Sequence, residues 1–120
     1  MKLQDILNAR AVIKPYISET PLVQLEHVNK LLGCQIYFKL ENMQIGNAFK
    51  IRGPSNKLQV VKSNRIVAAS SGNHGIGISY AAKLLGKKAI VIVPLSTPKE
   101  KLEKINGGTS DLCVLRVLAN

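Results

Sequence analysis

The second half of the chain alternates short apolar segments with longer segments of helical spacing, and this order restricts the fold more than any other feature. Residues 65–70 and 88–94 are apolar runs bounded by turn residues, which is typical of buried strands. Residues 76–86 and 97–108 have helical spacing, and Thr97 stands at the cap position of the second of these helices. Strand, helix, strand and helix in this order predict a parallel βαβ arrangement of the α/β class.

The rest of the chain predicts shorter elements around this parallel unit. Pro54 suits the first position of a helix, because the N–H that it lacks has no partner there in any case. The remaining elements are a helix over 3–17, a short helix over 27–33 closed by Gly33, a strand with one buried face over 34–41, a helix from Gly53-Pro54 onward, and a last strand within 110–120.

The composition fits one modest domain. At 120 residues and 46% hydrophobic content, the chain has enough apolar material for a core. It has no apolar run of about 18 residues and no apolar block of signal-peptide type near its start, so we expect a cytoplasmic protein with no membrane partner. Cys34 and Cys113 lie far apart with no CxxC pair, so we expect no metal site and interpret both as small buried residues.

The charge is strongly basic, because 17 Lys and Arg against 7 Asp and Glu give a net charge of +10. A basic nucleic-acid-binding module is therefore an alternative. The lysines, however, are spread over the predicted helix faces, and an aromatic content of 4% leaves little material for base stacking. We therefore expect solvated lysine-rich faces and no nucleic-acid partner.

The segment "SSGNHG" joins the strand at 65–70 to the helix that follows it. Ser70 and Ser71 end the strand, and Gly72 permits a tight turn directly before the helix, so backbone N–H groups and the helix dipole converge there. An anion would be favoured at this place. The alternative, favoured when the segment is considered alone, is that Ser71 or Asn73 caps the helix and that His74 is a hydrogen-bonded structural group.

Lys50 follows Phe49 in "GNAFKIRGP", where glycine and proline predict a bend rather than a regular element. The simpler interpretation is a surface lysine. The alternative is a lysine partly desolvated beside Phe49 that forms a Schiff base with a carbonyl group. Lys50 and its neighbours leave the two interpretations about equal.

Three segments together resemble a known family: "ENMQIGNAFKIRGPSNKL", "VAASSGNHGIGISYAAKLLG" and "AIVIVPLSTPKEKLEKI". They are similar to the pyridoxal-phosphate enzymes of the tryptophan synthase β-like fold (fold type II), most closely the threonine/serine dehydratases and serine racemases. The resemblance runs from about Thr20 to Ile105. It implies a parallel three-layer α/β domain, truncated here: residues 1–120 would be its N-terminal part, about 51–120 its small subdomain, and the C-terminal half would lie outside the chain.

The resemblance also implies roles for individual residues. Lys50 would hold pyridoxal 5'-phosphate covalently and, once released, remove the α-proton of the substrate. Phe49 would wall the cofactor ring, and Asn73 would donate a hydrogen bond to its ring hydroxyl oxygen. The carboxylate of the substrate would be received by Ser70, Ser71, Gly72, Asn73 and His74.

The activity implied is that of an L-threonine or L-serine dehydratase, an ammonia-lyase that yields a 2-oxo acid and ammonia. Ser71 would offer a hydroxyl opposite Lys50, so a serine racemase is one alternative. The family's phosphate-binding glycine-rich loop belongs to the C-terminal half, and Gly46-Asn47-Ala48 stand where the family has Thr-Gly-Ser. A fragment of reduced activity, or a non-catalytic remnant of a broken gene, is a further alternative, and a homo-oligomer is left open.

Overall fold

The computed structural model describes residues 1–107 together with the backbone of 113–117. Its helices and strands are, in chain order, α1 (Leu3–Ile13), β1 (Leu22–Gln24), α2 (Glu26–Leu32), β2 (Tyr37–Lys39), α3 (Arg52–Val60), β3 (Arg65–Ala69), α4 (Asn73–Leu84), β4 (Lys88–Pro94), α5 (Lys99–Asn106) and β5 (Cys113–Val117). Single 3₁₀ turns span Lys14–Tyr16, Glu41–Met43, Ile45–Asn47 and Phe49–Ile51.

The parallel sheet predicted for the second half is confirmed. Strands β3, β4 and β5 lie in that order, and both pairs are parallel. The middle strand, β4, alternates between buried and half-buried residues, and Ala89, Val91 and Val93 are fully buried. Helices α4 and α5 follow β3 and β4, as in a βαβ unit.

The first half carries a separate two-stranded antiparallel ribbon, in which Val23 of β1 pairs with Phe38 of β2. The expected strand with one buried face over 34–41 is wrong in two respects: β2 has three residues, and all of them are exposed. A ribbon can alternate along its sequence without a second layer that buries either face. Cys34 is also exposed, contrary to the prediction, whereas the side chain of Cys113 lies outside the described residues.

Helix α4 is the centre of the core. One cluster on it joins Ile78, Ala81 and Ala82 to Ile51, Leu58 and Ala89. A second cluster joins Ile76 to Val91, Val93 and Ile105. Because Ile51 follows Lys50 directly and is fully buried, the core itself fixes the position of the lysine turn.

Several helix starts differ from the predictions. Helix α3 begins at Arg52, so Pro54 is its third residue and not its first. Helix α4 begins at Asn73, inside "SSGNHG" rather than after it. Thr97 does not cap α5, because the cap residue is Pro98 in an extended conformation. The Oγ1 atom of Thr97 is buried and has no hydrogen-bond partner among the described residues. No helix in residues 1–107 is long and apolar enough to span a membrane.

Candidate active site

Lys50 lies in the 3₁₀ turn Phe49–Ile51, directly before α3. Extended Ala48 precedes the turn, and the backbone N–H of Arg52 closes it by donating to the carbonyl of Phe49. Ile51 is buried, whereas Phe49 and Lys50 are exposed. The turn is therefore anchored in the core by Ile51, and its other two side chains face outward. The Nζ atom of Lys50 lies 4.7 Å from the centroid of the Phe49 ring, which is a cation–π contact.

The bend before this turn, predicted from its glycine, is confirmed. Gly46 and Asn47 both have positive φ values, 75° and 56°. Gln44 holds the start of the bend: its side-chain oxygen accepts from the backbone N–H groups of Ser18 and Ile45, and its amide nitrogen donates to the carbonyl of Ser18 at 2.7 Å. The chain before Lys50 is thereby tied to the segment that leads into β1.

Gly77 of α4 lies directly against the backbone of Lys50. A Cβ atom at this position would be 2.9 Å from both the carbonyl carbon and the carbonyl oxygen of Lys50. Only glycine allows the helix and the lysine turn to approach so closely. The sequence analysis did not identify Gly77. The one local signal was a glycine within a helical pattern, which indicates a packing role but not the partner.

The loop between β3 and α4 turns tightly against its own helix. A Cβ atom on Gly75 would lie 2.3 Å from the carbonyl oxygen of Ser70. Gly72 is the cap residue of α4, and no side chain caps this helix, so the interpretation that Ser71 or Asn73 is a cap is wrong. A Cβ atom on Gly72 would meet nothing within 4 Å, so the helix N-terminus has open space beside it.

A cavity of about 610 Å³ brings the two predicted loops together. Lys50 and Phe49 line it from the lysine turn, and His74 lines it from the first turn of α4. The rest of its wall is largely apolar and includes Pro54 and Ile78. Four predicted site members do not line this cavity: Ser70, Ser71 and Gly72 of the adjoining loop, and Asn73, the first residue of α4.

An ion pair lies beside the lysine turn, and sequence reasoning did not find it. The Nε and Nη2 atoms of Arg52 donate to the two carboxylate oxygens of Glu41 at 2.8 Å and 2.7 Å. The hydroxyl of Thr20 donates to the same carboxylate at 2.5 Å. The hydrogen bond from Arg52 is the main cause that lowers the pKa of Glu41 from 4.5 to about 2.

Comparison with known proteins decides the family. Residues 13–114 match the family model described as pyridoxal-phosphate dependent enzyme. The chain belongs to this family. The resemblance read from the three sequence segments is thereby confirmed.

Individual pyridoxal-phosphate-dependent enzymes are similar to this chain in sequence and in structure. The catabolic L-threonine dehydratase of Staphylococcus aureus (strain USA300) is 39% identical over 112 residues, which are 89% of this chain and 32% of that protein. A serine racemase from Dictyostelium discoideum superimposes with a TM-score of 0.92 at 37% identity, over 100% of this chain and 40% of its own. A threonine deaminase from T.th. gives 0.86 at 34% identity, over 100% and 38%. The chain thus spans about a third of the curated relative's length.

The described residues fit the cofactor of this family on three observations. Lys50 presents a primary amine, the group that forms a Schiff base with an aldehyde. The cavity beside it has a largely apolar wall of the kind that accepts an aromatic ring. The uncapped N-terminus of α4, open at Gly72, favours an anionic group.

Proposed function

We propose that this chain supplies the lysine-bearing part of a cytoplasmic pyridoxal-phosphate-dependent L-threonine or L-serine dehydratase, which forms a 2-oxo acid and ammonia. The observation that carries the proposal is the lysine turn: Ile51 roots it in the core while Lys50 faces a cavity shared with His74. The identity of 39% with a threonine dehydratase supports the choice of substrate class. We assign residues 1–120 to the N-terminal part of that enzyme and about 51–120 to its small subdomain.

The chemistry divides between the cofactor and the chain. The bound cofactor supplies the electron sink that makes the α-proton of an amino acid removable. The amine of Lys50 would hold the cofactor and, once free and neutral, accept the α-proton at Nζ. The β-hydroxyl would then leave the substrate as water with a proton, which Nζ of Lys50 can return to it, and a further water molecule would later replace the amino group as ammonia. Phe49 would exclude water from one side of Lys50, because its ring already contacts the amine.

The loop before α4 would bind and orient the substrate. The carboxylate of the substrate would accept from backbone N–H groups between Ser70 and His74, at the start of α4. The N–H of Gly72 donates to the hydroxyl of Ser70 at 3.3 Å, and it would exchange this long hydrogen bond for one to the substrate. Asn73, in the first turn, would donate its side-chain amide to the ring hydroxyl oxygen of the cofactor. Such fixed hydrogen bonds align the bond to be broken without reorganisation during the reaction.

A serine racemase is the second candidate, because a solved serine racemase superimposes on the whole of this chain. Ser71 would then be the second acid–base group, opposite Lys50. The deciding assay is D-serine formation from L-serine in a full-length protein carrying this loop. Formation of D-serine that Ser71→Ala abolishes supports the racemase, and absence of D-serine rejects it.

The dehydratase proposal is tested by locating the covalent adduct. The purified chain is incubated with pyridoxal phosphate, reduced with borohydride and mapped by peptide mass spectrometry. We expect the label on Lys50 and its loss in Lys50→Ala. Lys57→Ala is the matched control, since Lys57 lines the same cavity from α3. Label spread evenly over the lysines, or label on Lys57 instead, would reject the proposal and favour a non-catalytic fragment.

A further inference from the structure

We propose that the ion pair between Glu41 and Arg52 is a positioning device for Lys50, fixing the direction in which the turn Phe49–Ile51 presents its amine. The inference rests on the proposed function, because the direction of Lys50 matters only if its amine reacts. It adds two residues to the site that act through Lys50 and touch neither substrate nor cofactor.

Arg52 is held at two points. Its backbone N–H closes the lysine turn on the carbonyl of Phe49. Its guanidinium binds both oxygens of the Glu41 carboxylate, an arrangement that fixes the plane of the group as well as its distance. A rotation of the turn about its own axis would therefore require both contacts on Arg52 to break.

Glu41 cannot follow such a rotation of the lysine turn. Its Oε1 atom also accepts a hydrogen bond from the hydroxyl of Thr20. Thr20 as a residue is only 4% exposed. The ammonium group of Lys39 donates to the backbone carbonyl of Thr20, which ties β2 to the same point. The carboxylate is thus fixed to the segment before β1, and it passes that restraint to Arg52.

The pair of Glu41 and Arg52 is less exposed to solvent than an ordinary surface salt bridge. The side chains of Arg52 and Glu41 are 30% and 19% exposed. The pair of Lys30 and Glu26 on α2 has a similar distance, but its side chains are 76% and 83% exposed, and pairs of that kind contribute little. Neither Glu41 nor Arg52 belongs to the two core clusters, so the core can survive loss of the pair while the turn loosens.

Two measurements on Glu41→Gln test the proposal, with Glu26→Gln as the matched control. The first is hydrogen exchange, which needs no cofactor. We expect the amide of Arg52 to exchange at least about tenfold faster in Glu41→Gln, the lower end of the factor for loss of a hydrogen bond to a charged group. The amides of Ala81 and Ala82 in α4 should keep their rates. Glu26→Gln should change none of these rates.

The second measurement is the rate at which pyridoxal phosphate and borohydride label Lys50. We expect a severalfold slower rate in Glu41→Gln, an intermediate rate in Arg52→Lys, and unchanged labelling at Lys57. Unchanged exchange at Arg52 would overturn the proposal, and so would faster exchange throughout α4, which indicates a purely structural role. If the unsubstituted chain is not labelled at Lys50, the proposed function fails and exchange alone decides the positioning claim.

Discussion

Replacement of Gly77 by alanine tests the close contact between α4 and the lysine turn. The new Cβ atom would lie 2.9 Å from the carbonyl carbon and oxygen of Lys50 and 3.0 Å from the backbone nitrogen of Ile51. Carbon atoms in favourable contact are about 3.5–4.0 Å apart, so the two backbones must separate by roughly half an ångström or more. All the opposing atoms are backbone, and no side-chain rotation can relieve the contact.

The energetic consequence combines two opposing effects. Overpacking of this kind costs about 1–3 kcal/mol. Alanine in place of glycine inside a helix returns about 0.5–1 kcal/mol. We therefore expect Gly77→Ala to lower the free energy of unfolding by up to about 2.5 kcal/mol and to slow the labelling of Lys50 as the turn is displaced.

Urea unfolding followed by far-UV circular dichroism measures this change, and Gly53→Ala is the matched control. Gly53 lies in α3, and a Cβ atom there would meet nothing within 4 Å. This control should stay within about 1 kcal/mol of the unsubstituted chain, because Gly53 lies in the first turn of α3, directly before Pro54, and not in a helix interior. A Gly77→Ala chain at least as stable as the Gly53→Ala control would refute the contact as described.

Two further predictions concern the neighbouring groups. Because the pKa of Glu41 is lowered to about 2, its pair with Arg52 stabilises the fold fully above the ordinary carboxyl pKa of 4.5 and progressively less as the pH falls toward 2. The difference in unfolding free energy between the unsubstituted chain and Glu41→Gln should shrink over that range, and a constant difference would contradict the assignment. Gly75→Ala should lower the midpoint of thermal unfolding, because its Cβ atom would lie 2.3 Å from the carbonyl oxygen of Ser70. Gly72→Ala should leave this midpoint nearly unchanged, because a Cβ atom at Gly72 would meet nothing within 4 Å. Equal midpoints for the two variants would argue against the loop geometry.

The sequence predicted the elements whose signals are local. The apolar runs that became β3 and β4 and the helical spacing of α4 lie within single segments, so their pattern alone identifies them. The placement of "SSGNHG" at the end of β3 followed from the parallel arrangement, and the bend before Lys50 followed from Gly46. The resemblance to a known family then connected Lys50 with the segment "SSGNHG", which contains His74.

The features that sequence reasoning missed depend on contacts between distant segments. Nothing near Gly77 shows that the backbone of Lys50 will pack against it. The pairing of Glu41 with Arg52 likewise appears only when the chain has folded. The prediction that β2 has a buried face is wrong for the same reason. Burial requires a second layer, and the alternation of apolar residues along a strand does not specify one.

Absorbance spectroscopy decides whether Lys50 is the residue that holds the cofactor. When the purified chain is titrated with pyridoxal phosphate, the absorbance band of a lysine-bound cofactor should appear near the short-wavelength end of the visible range. The band should be absent in Lys50→Ala and retained in Lys57→Ala. A band of equal strength in Lys50→Ala, or no band in the folded unsubstituted chain, would contradict the account.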